Sequence, residues 1–210
     1  MRRRATGPFR RTRSGVRVQL DAAERGLLAR LLDDVEGLLA QDAAERGGAP
    51  GADGGDASGD GGDASRNGVP RSDDDVLAAL EASLSTSPPA DPAVARLLPD
   101  GHRDDPEVAA GYRRLTEDGL RARKRSTLGM ASAALGRPEP VLLADDEALA
   151  LLKGLTDVRL VLAERLGLRS DEDAELLHLL AAGAADPRAA AAALYDALTW
   201  WQESLVGALR

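Results

Sequence analysis

Apolar residues in this chain recur at helical spacing over most of its length, and almost none of them is aromatic. Between residues 21 and 46, Leu27, Leu28, Leu31, Leu32, Val35, Leu38 and Leu39 fall on one stripe with a period of 3.6. Aromatics make up only 2% of the chain, so the core has to be built from Leu, Val and Ala. Leu and Ala favour helices, and few β-branched runs are long enough for a central strand. The pattern predicts a mainly α fold. We expect a single helical domain of about five to six helices, with at most a short two-stranded β ribbon and a disordered insertion.

Local signals place the elements. Val16, Val18 and Leu20 alternate with Arg17 and Gln19, which reads as a short half-exposed strand. Asp21 with Glu24 makes a capping box for the first helix, and Gly47 and Gly48 stop it. Ser72 caps a second helix bearing Val76, Leu77, Leu80 and Leu84. Three Asp-Pro pairs, Asp91-Pro92, Asp105-Pro106 and Asp186-Pro187, each set an acceptor before a proline at the first helical position. The helix after Asp105 would turn Val108, Tyr112, Leu115, Leu120, Leu128 and Leu135 inward and end at Gly136. Val141–Leu143 would supply the second strand. A helix capped by Asp145 or a neighbour runs to Leu166, is apolar on most faces and is therefore central; Gly167 ends it. Residues 169–185 read as a loop with a helical turn. The last helix carries Leu194, Leu198, Trp201, Leu205 and Leu209 on its inner stripe.

This gives a flexible basic arm at 1–14, a strand and first helix at 15–46, a disordered Gly/Asp-rich linker at 47–70, and a helical body at 71–210 packing with 15–46. The linker repeats Gly-Gly-Asp-Ala-Ser at 54–58 and 61–65. Ordering each of its residues would cost roughly 1–2 kcal/mol, with almost no apolar burial to offset it. Calcium is the alternative reading of Gly/Asp repeats, but β-roll and EF-hand spacings are both missing.

Charge is unevenly placed. Residues 1–20 hold seven arginines (Arg2, Arg3, Arg4, Arg10, Arg11, Arg13 and Arg17) and no acid, whereas the whole chain is −8, so the rest is −15. An acidic body disfavours wide contact with phosphate backbones, but a basic arm on it can meet nucleic acid or an acidic partner. There is no cysteine, which excludes disulfides, thiolate zinc sites and thiol redox sensing. No stretch reaches the ~18 apolar residues of a transmembrane span, and no apolar region follows the first arginines as in a signal peptide. A cytoplasmic protein without membrane contact is expected.

Several stretches carry a resemblance. They are Gly154-Leu155-Thr156-Asp157-Val158-Arg159-Leu160 with Glu164-Arg165-Leu166-Gly167-Leu168, and Tyr195-Asp196-Ala197-Leu198-Thr199-Trp200-Trp201-Gln202-Glu203-Ser204-Leu205-Val206. Arg96-Leu97-Leu98-Pro99-Asp100 and Tyr112-Arg113-Arg114-Leu115-Thr116 join them. Together they resemble actinobacterial domain-of-unknown-function family twenty-seventeen, from about Phe9 to Arg210 without the linker. The resemblance implies a helical protein without established enzymatic activity, sometimes labelled a transcriptional regulator, with genes beside that of the proteolytic adaptor ClpS. Thr156 stands where the family favours Asn, and Ala197 where it favours Trp.

Catalytic chemistry finds little support in the residues. His102 and His178 are the only histidines, and neither has a second ligand at convincing helical spacing, so no metal is expected. No Gly-rich loop leads from a strand to a helix with a following lysine, so no phosphate cradle and no cofactor are expected. Carboxylates cluster at helix starts, where capping accounts for them.

Three sets of residues remain as contact candidates. Arg10, Arg11 and Arg13 of the arm, with Arg121, Arg123, Lys124 and Arg125, read either as a polyanion or partner surface or as a solvated face with i,i+4 pairing. Asp157, Arg159 and Arg165 lie on the most apolar helix; they form either a structural ion-pair set or, on Arg159, a pocket for an anionic group. Trp200 is turned about 100° from the core stripe, among Ala193, Ala197, Ser204 and Gly207. It either packs on helix 145–166 or anchors a homodimer or partner interface. The expectation is a non-enzymatic regulatory or interaction protein, acting in transcription and touching nucleic acid through its basic arm. The alternative is an adaptor or scaffold in regulated proteolysis.

Overall fold

A computed structural model describes residues 7–47, 87–102, 104–168, 170, 173 and 187–210. The expected linker beyond Gly47, the helix behind Ser72, Arg2–Arg4, His178 and the Asp186 cap lie outside these residues. The chain is mainly α. Its elements are β1 (Phe9–Thr12), β2 (Gly15–Val18), α1 (Ala22–Gly47), α2 (Pro92–Leu97), α3 (Pro106–Leu135), β3 (Leu142–Leu143), α4 (Asp145–Leu166) and α5 (Pro187–Leu209).

The caps behave as their chemistry dictates. Asp21 Oδ1 accepts from Glu24 N at 2.8 Å while Glu24 Oε2 accepts from Asp21 N at 2.8 Å, a reciprocal capping box. Asp91 accepts from Ala93 N at 2.8 Å, and Asp105 from Glu107 N and Val108 N at 3.0 and 3.1 Å. At the start of α4 the capping position is Ala144, whose N–H is taken by Glu147 at 2.9 Å. Gly167 ends α4 in the left-handed conformation (φ 71°). Gly167 N and Leu168 N return to Glu164 O and Ala163 O, which satisfies the last carbonyls.

The expected ribbon gains a strand. β2 pairs with β3 (Val16 opposite Leu143), but it also pairs antiparallel with β1 (Phe9 opposite Val18, Arg10 opposite Arg17). Residues 9–12, assigned above to a flexible arm over 1–14, are therefore part of a three-stranded sheet in the order β1-β2-β3. The reason lies in Phe9, which is buried and extends the core face formed by Val16 and Val18. Its N–H donates to Ser204 Oγ of α5 at 3.1 Å.

Helix α4 is central. It contacts each of the other four helices of the described residues, and β2 and β3. Leu151 and Leu155 are fully buried, with Ala148, Gly154 and Val158 beside them. At Gly154 a Cβ would stand 2.6 Å from Leu32 Cδ2, and Leu32 is itself fully buried, so only glycine admits α1 this close. Trp201, Leu198 and Leu205 hold α5 on the core stripe as expected.

The first half of α3 departs from expectation. Val108, Tyr112 and Leu115 are exposed, the last at 84%, and the buried positions are Ala109, Arg113, Glu117 and Arg121. Charged residues occupy the inward face because partners wait there: Asp42 and Arg46 on α1, and Asp100 after α2.

Short helix α2 is fixed to α4 by two ion pairs, Arg165–Asp91 at 2.5 Å and Arg96–Glu164 at 2.9 Å. Partial burial raises the pKa of Asp91, but the Arg165 hydrogen bond, the Ala93 N–H and the Arg165 charge together outweigh it and leave it lowered. A carboxyl depressed in the folded state stabilises the fold above its unfolded pKa of about 3.9, and that contribution disappears as pH falls through the folded value. Asp91→Asn keeps a capping acceptor and removes the charge. It should lower stability at pH 7 by about 0.5–1 kcal/mol, with the gap to the parent closing below about pH 4. Urea unfolding of both proteins across this pH range measures it.

Candidate functional site

The candidate cations separate into those that hold the fold and those left over. Arg121, read from the sequence as a surface contact, is buried. Its Nη2 lies 2.7 Å from Asp42 Oδ2 and 2.6 Å from Glu117 Oε1, and its Nη1 2.8 Å from Asp118 Oδ1. Arg46 completes the group, 3.2 Å from Asp42 and 3.0 Å from Glu117. Burial opposes the Arg121 charge, but hydrogen bonds to Glu117 and Asp42 outweigh it and raise the guanidinium pKa. Arg121 is therefore a bolt between α1 and α3 and is not free to meet a polyanion. Lys124 Nζ donates to the buried Asp157 at 2.6 Å, and Arg125 pairs with Glu36 at 2.6 Å. Arg11 forms a two-pronged pair with Asp145 in the first turn of α4, which lowers the pKa of that carboxyl.

The three candidate charges of α4, Asp157, Arg159 and Arg165, all have structural partners in this arrangement. Asp157 is held by Lys124, and Arg165 by Asp91. Arg159 has no carboxylate partner among the described residues. It donates to Gln202 Oε1 at 2.6 Å and Tyr195 Oη at 3.2 Å, with its guanidinium 5.0 Å from the Tyr195 ring centroid. Gln202 in turn donates to Thr156 Oγ1 at 2.9 Å. Arg159 thus joins α4 to α5 through neutral groups and a cation–π contact.

Arg10, Arg13, Arg17 and Arg123 remain exposed without an ion pair among the described residues. Arg10 and Arg17 are cross-strand partners, so their side chains share the outer face of the β hairpin, with Arg13 in its turn. Two like charges directly opposite on a sheet destabilise it. Here no carboxylate among the described residues relieves them, although the chain as a whole is acidic. Trp200 is 46% exposed while its neighbour Trp201 is 4% exposed. The reading in which Trp200 packs as a core side chain against α4 is therefore not what the fold adopts.

Among the described residues no group of three or more His, Asp or Glu side chains could hold a metal ion. The His102 imidazole accepts from Asp105 N at 3.0 Å and so braces the start of α3. No helix of the described residues is long and apolar enough to cross a membrane.

One comparison with known proteins bears on this arrangement. The family described as Domain of unknown function (DUF2017) matches residues 4–209. The chain belongs to this family. The match runs from before β1 to the end of α5, so the arginine-bearing hairpin lies inside the family's domain. No curated protein and no solved structure matches the chain.

The sequence missed two features of the site. Gln202 and Tyr195 partner Arg159 across 43 and 36 positions, a pairing no local spacing reveals. Lys153 lines a cleft beside Lys124, and its signal was available: the chain's only two lysines are these two.

Arg121→Ala would leave Asp42 and Glu117 buried without their main counter-ion. The expected loss is about 3–5 kcal/mol of stability. Polyanion affinity per folded molecule should stay unchanged, because this guanidinium does not reach the surface. Urea unfolding and a DNA titration of the same preparation test both halves.

Proposed function

We propose that this DUF2017-family protein is a non-enzymatic regulatory protein that contacts nucleic acid through its β hairpin, as a regulator of transcription would. The observation that carries the reading is Arg10 facing Arg17 across β1 and β2 with no carboxylate among the described residues to neutralise either. The described residues commit nine arginines to ion pairs, yet the fold keeps this pair, and Arg13 beside it, open to an outside anion. The DNA major groove admits a two-stranded β ribbon, and arginine pairs there with guanine edges and phosphates. The acidic remainder confines contact to the hairpin side, which favours a small, oriented footprint over general adhesion to DNA.

The test is a titration of duplex DNA at several salt concentrations with the parent and an Arg10→Gln, Arg13→Gln, Arg17→Gln triple variant. The parent should bind with a steep salt dependence. The variant's slope of log affinity against log salt should be shallower by about 0.9 for each arginine that neutralised a phosphate. Equal slopes for the two proteins would remove the hairpin from the interface.

Trp200 supports a second reading, an adaptor or scaffold for a protein partner, including one in regulated proteolysis. A half-exposed tryptophan on the outer face of α5 has the chemistry of an interface anchor. Trp200→Ala is expected to leave the monomer folded, with a melting temperature within a few degrees of the parent, and to shift sedimentation toward monomer or abolish a partner's binding. A variant destabilised by several kcal/mol with unchanged assembly would count against an interface at this residue.

A further inference from the structure

We infer that the cleft between α3 and α4 is a binding site for a small phosphate monoester. It has a volume of about 750 Å³ and is walled by Arg123, Lys124, Ser126 and Thr127 of α3 and by Lys153, Thr156 and Asp157 of α4. That volume lies within the range of about 300–1,000 Å³ usual for small-ligand sites.

Charge identifies the ligand. Three cations line the cleft against one carboxylate, and that carboxylate is committed to Lys124 at 2.6 Å. Lys124 keeps two of its three N–H donors for a ligand. Arg123 and Lys153 are exposed and have no ion pair among the described residues. The lining is therefore net +2 inside a chain of net −8. A phosphate monoester carries about −1.5 to −2 at neutral pH, which matches this excess; a single carboxylate does not.

The residue types point the same way. Of 27 basic residues only Lys124 and Lys153 are lysine, and both line this one cleft. An ammonium is a compact point charge that suits a phosphoryl oxygen from any direction. The Ser126 hydroxyl has no protein partner among the described residues and can donate to a third oxygen. Thr127 and Thr156 instead give their hydroxyl protons to the carbonyls of Arg123 and Leu152, so they only accept. Leu120 adds an apolar wall for the body of the ester. Packed helices lie about 8–10 Å apart, so the cleft admits a phosphoryl group on a small molecule and excludes a nucleic acid duplex.

The inference stands apart from the hairpin reading, since no residue is shared. Reductive methylation with ¹³C-formaldehyde labels Lys124, Lys153 and the chain's α-amine while keeping their positive charge. Phenyl phosphate titrated into the labelled full chain in about 0.1 M chloride should move both lysine signals along one saturating curve. Half-saturation is expected at or below about 1 mM. Inorganic phosphate should compete for the same signals, and benzoate should bind at least about tenfold more weakly. Lys153→Gln and Arg123→Gln replace exposed, unpaired side chains and should each weaken phenyl phosphate about tenfold with unchanged circular dichroism and melting temperature. Shifts that never saturate, or that benzoate reproduces equally, would mean an adventitious ion only and overturn the proposal. Lysine signals that answer to a DNA duplex and not to phenyl phosphate would also overturn it, by giving the cleft to the nucleic-acid surface.

Discussion

Helix α4 carries apolar residues on most of its circumference, and water leaves it only when other elements close round it on nearly every side. The rest of the architecture follows from that demand. Helices α1, α2, α3 and α5 each cover part of it, and strands β2 and β3 touch it as well. Gly154 lets Leu32 of α1 sit where a methyl group would otherwise stand. With so few aromatic residues the core is filled by leucine and alanine, whose small increments of volume suit closely packed helices. The narrow strip of α4 left open toward solvent is the strip that bears Lys153 and Thr156.

Ion pairs set how the covering helices are seated. Arg121 and Arg46 bridge α1 to α3 through Asp42 and Glu117; Arg165 and Arg96 bridge α2 to α4 through Asp91 and Glu164; Arg11 ties β1 to the start of α4 through Asp145. Pairs of this kind add little net stability, because desolvation consumes most of the Coulombic gain. At the α1–α3 seam the effect is on alternatives: a slip of one residue would leave the buried Asp42, Glu117 and Arg121 unmatched, at several kcal/mol each.

The same accounting of charges defines the surface. Once the paired arginines are set aside, exposed cations remain on the outer face of the hairpin and in the α3–α4 cleft, and singly elsewhere, as at Arg30 and Arg114. The first two places are joined by α4 itself. Its first residue, Asp145, holds Arg11 of the hairpin, and Lys153 stands eight residues on, about 12 Å along a helix. The hairpin and the cleft thus share one rigid element.

Composition and periodicity were enough for the mainly α class, for the central place of α4, and for helix boundaries set by Asp21, Asp91, Asp105 and Gly167. All of these are local: a cap needs only a side chain and the N–H groups two or three residues on, and a stripe needs only its own period. Tertiary structure decided what depends on partners distant in sequence. The inward face of α3 looked like Val108, Tyr112 and Leu115 by hydropathy, yet Arg113, Glu117 and Arg121 are buried because α1 and Asp100 supply counter-charges 13 to 79 positions away. The basic run on α3 read as one surface, but only the fold shows that Arg121, Lys124 and Arg125 are matched by Asp42, Asp157 and Glu36 while Arg123 is not. Period alone reports that a residue shares a face; whether a charge on that face is spent or available depends on what packs opposite, and that is settled only when the chain closes on itself.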